Sequence, residues 1–197
     1  PVSMNPLEYI RQRSQTGPVQ APEDTQPRLT PIAGIRAVIF DIYGTLFSSG
    51  VGDISLATEQ NQNDALQKTL LDHNLQLTDT GHKQRLDERL QNHIRQHHAV
   101  RRQAGIEYPQ VDIRPGWKDL LEELSKENWA KSTVDTDVTT LSVDYETRIN
   151  PVQLMPGLEE ALASLRERKL FMSIISNAQF YTPLLFEALL GQSHKSL

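Results

Sequence analysis

Apolar and polar residues follow two rhythms along this chain, and its first stretch follows neither. Two short, largely apolar runs stand at Ala37-Val-Ile-Phe40 and Leu170-Phe-Met-Ser-Ile-Ile175. They lack alternation and favour extended backbone, which predicts strands buried on both faces, as in a parallel sheet covered by helices. Between them apolar residues recur every three to four positions: Leu66 and Leu70; Leu86, Leu90 and Ile94; Trp117, Leu120, Leu121 and Leu124; Val134, Val138, Leu141 and Tyr145. That period predicts four helices over residues 59–148. Thr78 or Thr80 suits the N-cap of the second, and Pro115 the first turn of the third.

A further helix, with Leu158, Leu162 and Leu165 on one face, leads into the second strand run. A last one follows that run, with Thr182 as N-cap, Pro183 at the first helical position and Gly191 just past the end. Residues 1–33 hold six of the eleven prolines and show no period. They predict an extended arm, mobile or laid over the core, with a turn around residues 7–13 at most.

Composition narrows the class. Hydrophobic residues at 38% and charged residues at 23% describe a folded chain rather than a disordered one. A net charge of −5 argues against nucleic acid as a partner. The absence of cysteine removes disulfides, thiolate nucleophiles and Cys-based metal sites. No apolar run approaches the roughly 18 residues of a membrane span, and no secretory signal is visible, so a cytoplasmic protein is expected.

The candidate chemistry lies where the strand runs end. Asp41 closes the first, and Tyr43-Gly44-Thr45 follows; Ser176 and Asn177 close the second. In parallel sheets ligands bind beyond the carboxyl ends of the strands. A carboxylate held there is placed to attack an electrophile, although Asp is also a common turn residue. Together, Asp41-Ile-Tyr43-Gly44-Thr45-Leu46 with Phe47-Ser-Ser-Gly50 after it, and Met155-Pro-Gly-Leu158 before Ser176-Asn177, resemble the haloacid dehalogenase superfamily of hydrolases.

The resemblance implies an α/β, Rossmann-like core with an inserted all-helical cap. The arm would be residues 1–33, the core 34–58 and 149–197, and the cap 59–148. It also implies a hydrolase in which Asp41 is the nucleophile of a covalent aspartyl intermediate and Ser176 the hydroxyl of the second motif. Thr45 and Asn177 would hold a small anionic substrate. The family's phosphatases carry a second aspartate two positions after the nucleophile; here that position is Tyr43. A phenol cannot replace it near neutral pH, whereas a halide leaves without a proton. Asp-x-Tyr-Gly-Thr is the form that resembles the 2-haloacid dehalogenases, which need no cofactor. For a phosphoryl substrate the resemblance would instead place Mg²⁺ on Asp41 and the backbone carbonyl of Tyr43.

The resemblance also leaves a gap. The family's later lysine and acidic residues have no counterpart after Ser176, where only Lys195 and Glu187 carry those charges. The core is therefore expected to be incomplete at its C-terminal side, to be finished by further residues, in a homodimer or by a partner chain. A non-catalytic or split module is the alternative that follows. In the helical region, His93 and His97 share a helix face and could ligate a metal, though a solvated face explains them as well. Arg95, Arg101 and Arg102 could hold an anion over Asp41, though surface charge is the commoner role. Gly50 and Gly52 would allow a hinge, and residues 106–113 could line the site.

Overall fold

The computed structural model describes residues 4–14, 30–49, 59–110, 112–131 and 136–196. Its elements run α1 (Pro6–Arg13), β1 (Ala37–Phe40), β2 (Phe47–Ser49), α2 (Glu59–Asp72), β3 (Gln76–Leu77), α3 (Asp79–His82) and α4 (Leu86–Gln103). They continue as α5 (Arg114–Lys126), β4 (Ala130–Lys131), α6 (Val138–Ile149), β5 (Val152–Leu154), α7 (Leu158–Glu167), β6 (Phe171–Ile174) and α8 (Thr182–Leu185). The last helix runs on as a π-helical turn, Phe186–Leu190, and stops at Gly191 in the left-handed conformation.

The two apolar runs are strands, and they pair with each other. β1 and β6 lie parallel, Ala37 opposite Phe171 and Phe40 opposite Ile174. Burial on both faces does not hold. Val38, Phe40, Met172 and Ile174 turn inward, whereas Ile39 is 61% and Phe171 80% exposed. Among the described residues the ladder has only these two strands, and no described helix lies over its outer face. Two antiparallel ribbons, β2 with β5 and β3 with β4, complete the extended structure. Their two- and three-residue strands are too short to leave a period in sequence.

Two hydrophobic clusters flank α6. One joins Ile42, Leu46 and Phe47 to Val152, Leu162, Leu185 and Phe186, and takes in Val143. The other joins α2, α4 and α5 through Leu66, Leu70, Leu90, Trp117 and Leu120, and takes in Leu141 and Tyr145. One helix therefore supplies both clusters from opposite faces, which its run of buried residues, 140–145, reflects. Where α4 crosses α5, a Cβ at Gly116 would come within 2.8 Å of Ile94 Cγ1, so the close approach requires glycine.

The arm contains an ordered helix. Asn5 and Glu8 form a reciprocal capping box, the Asn5 side chain accepting from the Glu8 N–H at 3.1 Å and the Glu8 carboxylate from the Asn5 N–H at 2.7 Å. Pro6 sits inside the first turn, where proline is compatible with a helix. Tyr9 and Ile10 are buried against α6 and the last helix, and Arg11 Nε donates to the Ala188 carbonyl at 3.1 Å. Arg13 reaches the fully buried Asp144 of α6, which also receives Arg148 Nη2 at 3.2 Å. His73 Nε2 lies 3.3 Å from the same carboxylate, though not aligned as a hydrogen bond.

Helix starts differ from expectation in three places. Thr78 caps the short α3, accepting from the Gly81 N–H at 3.2 Å, and α4 begins separately. The Leu86 N–H of α4 is met by Asn63 Oδ1 of α2 at 2.9 Å, a cap from another helix that local sequence does not announce. α6 begins at Val138 with Asp137 as its N-cap, and Val134 lies outside the described residues. Thr182 is the first residue of α8 rather than its cap. Its hydroxyl is taken up by Tyr43, as described below.

Candidate functional site

The β1–β6 ladder carries Asp41 and Ser176 to the same edge. Ile175 N–H still donates to the Phe40 carbonyl at 2.9 Å, so Asp41 and Ser176 each follow directly on the last bonded pair. Beyond Asp41 the chain folds back on one carbonyl. The amides of Thr45, Leu46 and Phe47 point to Ile42 O at 3.2, 2.8 and 3.0 Å, and Gly44 N–H donates to Phe47 O at 2.8 Å. Gly44 takes φ +80°, a conformation that side chains disfavour. Ile42 and Leu46 are buried by this turn, and Asp41, Gly44 and Thr45 are left exposed. Asp41 has no hydrogen-bond or ion-pair partner among the described residues.

Tyr43 points the other way. Its hydroxyl lies 3.0 Å from the hydroxyl of Thr182, a residue 1% exposed. Burial, opposed by the Thr182 and Tyr181 hydrogen bonds, raises the phenol above its usual range. It is a structural hydroxyl, unsuited to proton transfer near neutrality. Tyr43→Phe is expected to cost about 1 kcal/mol, the worth of one buried hydrogen bond. Denaturant unfolding measures that loss.

Next to this edge lies a cavity of about 450 Å³. Its lining includes Tyr43, Asn177 and Tyr181 beyond the strand ends, Glu146, Ile149 and Asn150 at the end of α6, and His98, Gln110 and Ile113. From the segment 106–113, Gln110 and Ile113 line it. The Gln110 side chain also donates to the Ala178 carbonyl, tying that segment to the loop after β6. Asn177 is exposed and Ser176 half-buried. Asn177 lines the cavity, whereas Asp41, Thr45 and Ser176 lie outside its lining.

Sequence reasoning missed Glu146. An acid inside a helical period reads as a solvated position, and only the fold brings it against Tyr181, whose hydroxyl donates to Glu146 Oε2 at 3.4 Å. Burial pushes the carboxyl up to about 7, against the opposing hydrogen bond from Tyr181. The Tyr181 phenol is itself raised, by burial first and by the Glu146 charge second.

The histidine pair of α4 has another use. His93 Nε2 meets Glu123 at 2.8 Å and His97 Nε2 meets Asp119 at 2.7 Å, so both join α4 to α5. No group of three or more potential metal ligands occurs among the described residues. Arg95 turns to Asn92 and Arg101 Nη1 to the Gln110 carbonyl at 3.4 Å; neither they nor Arg102 line the cavity. Gly50 and Gly52 lie outside the described residues. The unengaged Asp41 carboxylate and the Tyr43 carbonyl are hard oxygen donors of the kind Mg²⁺ takes. No helix among the described residues is long and apolar enough to cross a membrane.

Among solved structures the chain is similar to CbbY from Rhodobacter sphaeroides in complex with phosphate, at 12% identity and a TM-score of 0.34. The match covers 82% of this chain and 60% of that one, so the chain spans well under the full length of CbbY. No curated protein matches it. The model of the haloacid dehalogenase-like hydrolases matches residues 35–192, from just before β1 to just past the last helix. Strand ends, turn and helical excursion all fall within that match, and the chain belongs to this family of hydrolases.

Proposed function

We propose that the chain hydrolyses a small haloacid, or another substrate whose leaving group departs without a proton, with Asp41 as nucleophile. The observation that carries this reading is Tyr43. The position two residues after Asp41 holds a phenol engaged with Thr182, and so supplies no acid for an alkoxide. The Asp41 carboxylate would displace the halide at carbon, the halide leaving with the bonding electron pair. Water would then add to the acyl carbon of the ester, releasing the hydroxy acid, one proton and the restored carboxylate. Ser176 and Asn177, past the end of β6, would hydrogen-bond the substrate carboxylate, with Thr45 positioning it or Asp41. The alternative within the family is a phosphatase. There Asp41 and the Tyr43 carbonyl would hold Mg²⁺, which would offset charge on the phosphoryl oxygens.

Turnover of a 2-haloacid in ¹⁸O-water separates the two. A carbon ester is opened at its acyl carbon, so the label should enter the Asp41 carboxylate, read as a mass increase of the peptide that contains it. Halide release without label in Asp41 would sink the proposed mechanism. Turnover of an aryl phosphate that stops on chelation would favour the phosphatase.

A further inference from the structure

The cavity beside Asn177 has an unbalanced polar lining. Among its described lining residues there is one acid, Glu146, and no lysine or arginine. Its polar surface comes otherwise from amides, hydroxyls and the imidazole of His98. Taking a carboxylate out of water is costly unless a counter-charge or several donors meet it. Among the described residues the carboxylate of the half-buried Glu146 has one hydrogen bond, a long one from Tyr181.

Its own helix adds to the imbalance. Glu146 and Ile149 belong to the last turn of α6 and Asn150 is its C-cap, so the negative end of a 12-residue helix faces the cavity. Asn150 Oδ1, a further acceptor in that wall, is buried with no hydrogen-bond partner among the described residues. Tyr43 and Tyr181 also line the cavity, and aromatic rings can attract cations. The single cation of α6 is engaged elsewhere: Arg148 turns to Asp144 and Asp72, on the side of the helix where Arg13 and His73 also gather.

We propose that this cavity recognises an ammonium group, with Glu146 as its anionic contact, so that the substrate is an amine-bearing acid rather than a simple anion. The proposal rests on reading the cavity as the substrate site. The substrate's anionic end would lie toward Asn177 and Ser176, and its ammonium at the end of α6.

Three ligands of one shape and different charge test it: phenethylammonium, 2-phenylethanol and 3-phenylpropionate, titrated into the intact protein by NMR. The ammonium compound should bind at least about tenfold more tightly than the alcohol, the worth of one charge-assisted contact. Its shifts should centre on residues 146–150 and 181. In Glu146→Gln, verified as folded by circular dichroism, that preference should vanish while the alcohol binds as before. Equal binding of amine and alcohol to the wild-type protein, or tighter binding of the carboxylate at the Glu146 end, would overturn the proposal whatever the variant does. The measurement needs no turnover. Amine binding in a protein inactive on haloacids would remove the catalytic reading alone, and haloacid turnover without amine preference would remove this one.

Discussion

Asp144→Ala is expected to destabilise the protein by about 3–5 kcal/mol, the range for removing one partner of a buried ion pair. Asp144 is wholly buried and serves two arginines, Arg13 of α1 and Arg148 of its own helix, with His73 close by. Burial disfavours the carboxylate, yet the surrounding His73, Arg13 and Arg148 outweigh it and hold the carboxyl below its ordinary value. Alanine would leave two guanidinium groups at the joint of α1, α2 and α6 without that counter-charge. A domain is stable by only about 5–15 kcal/mol, so this is a large share. The charge also fixes a pH dependence. With the folded value depressed, the contribution is fully present above the unfolded value of about 4. It is lost as pH falls through the lower folded value. Urea midpoints of wild type and variant, taken from pH 7 down to 3, should converge at the acid end. Parallel curves would refute the assignment.

Asp41→Asn is the opposite kind of change. Asp41 is exposed at the end of β1 with no partner among the described residues, so its loss should move stability by less than about 0.5 kcal/mol. Under the proposed mechanism it removes the nucleophile itself, and turnover of any substrate found should fall by about 10⁴-fold or more. Measuring melting temperature and initial rate on the same preparation tests both halves. A folded variant that keeps more than a hundredth of the wild-type rate would exclude Asp41 as nucleophile.

The parts of the fold legible beforehand were those with a local cause. Ala37–Phe40 reads as a strand because Val38, Ile39 and Phe40, all strand-favouring, stop at a carboxylate and a Gly turn, and Trp117, Leu120 and Leu124 read as a helix by period. α1 was missed because its prolines dominate the reading. Its signal was nonetheless present in Asn5 followed three residues later by Glu8. The exposure of Ile39 and Phe171 depends on what lies across the sheet, which no strand records in its own residues. Glu146 was hidden for the same reason. It becomes unusual only through Tyr181 and the cavity, which the chain brings together after the whole helical region has folded back.

The β1–β6 pairing has a further consequence, for the order of folding. α4 and α5 are neighbours in sequence, and their contacts close short loops. Tyr43 and Thr182 are 139 residues apart, and the two strands meet across a similar span. Closing so long a loop costs entropy before any strand contact repays it. The helical contacts should therefore form first, and the Asp41–Ser176 edge should be the last part of the molecule to assemble. A chain stalled on the ribosome before residue 171 would hold a formed helical layer with Asp41 on an unpaired strand.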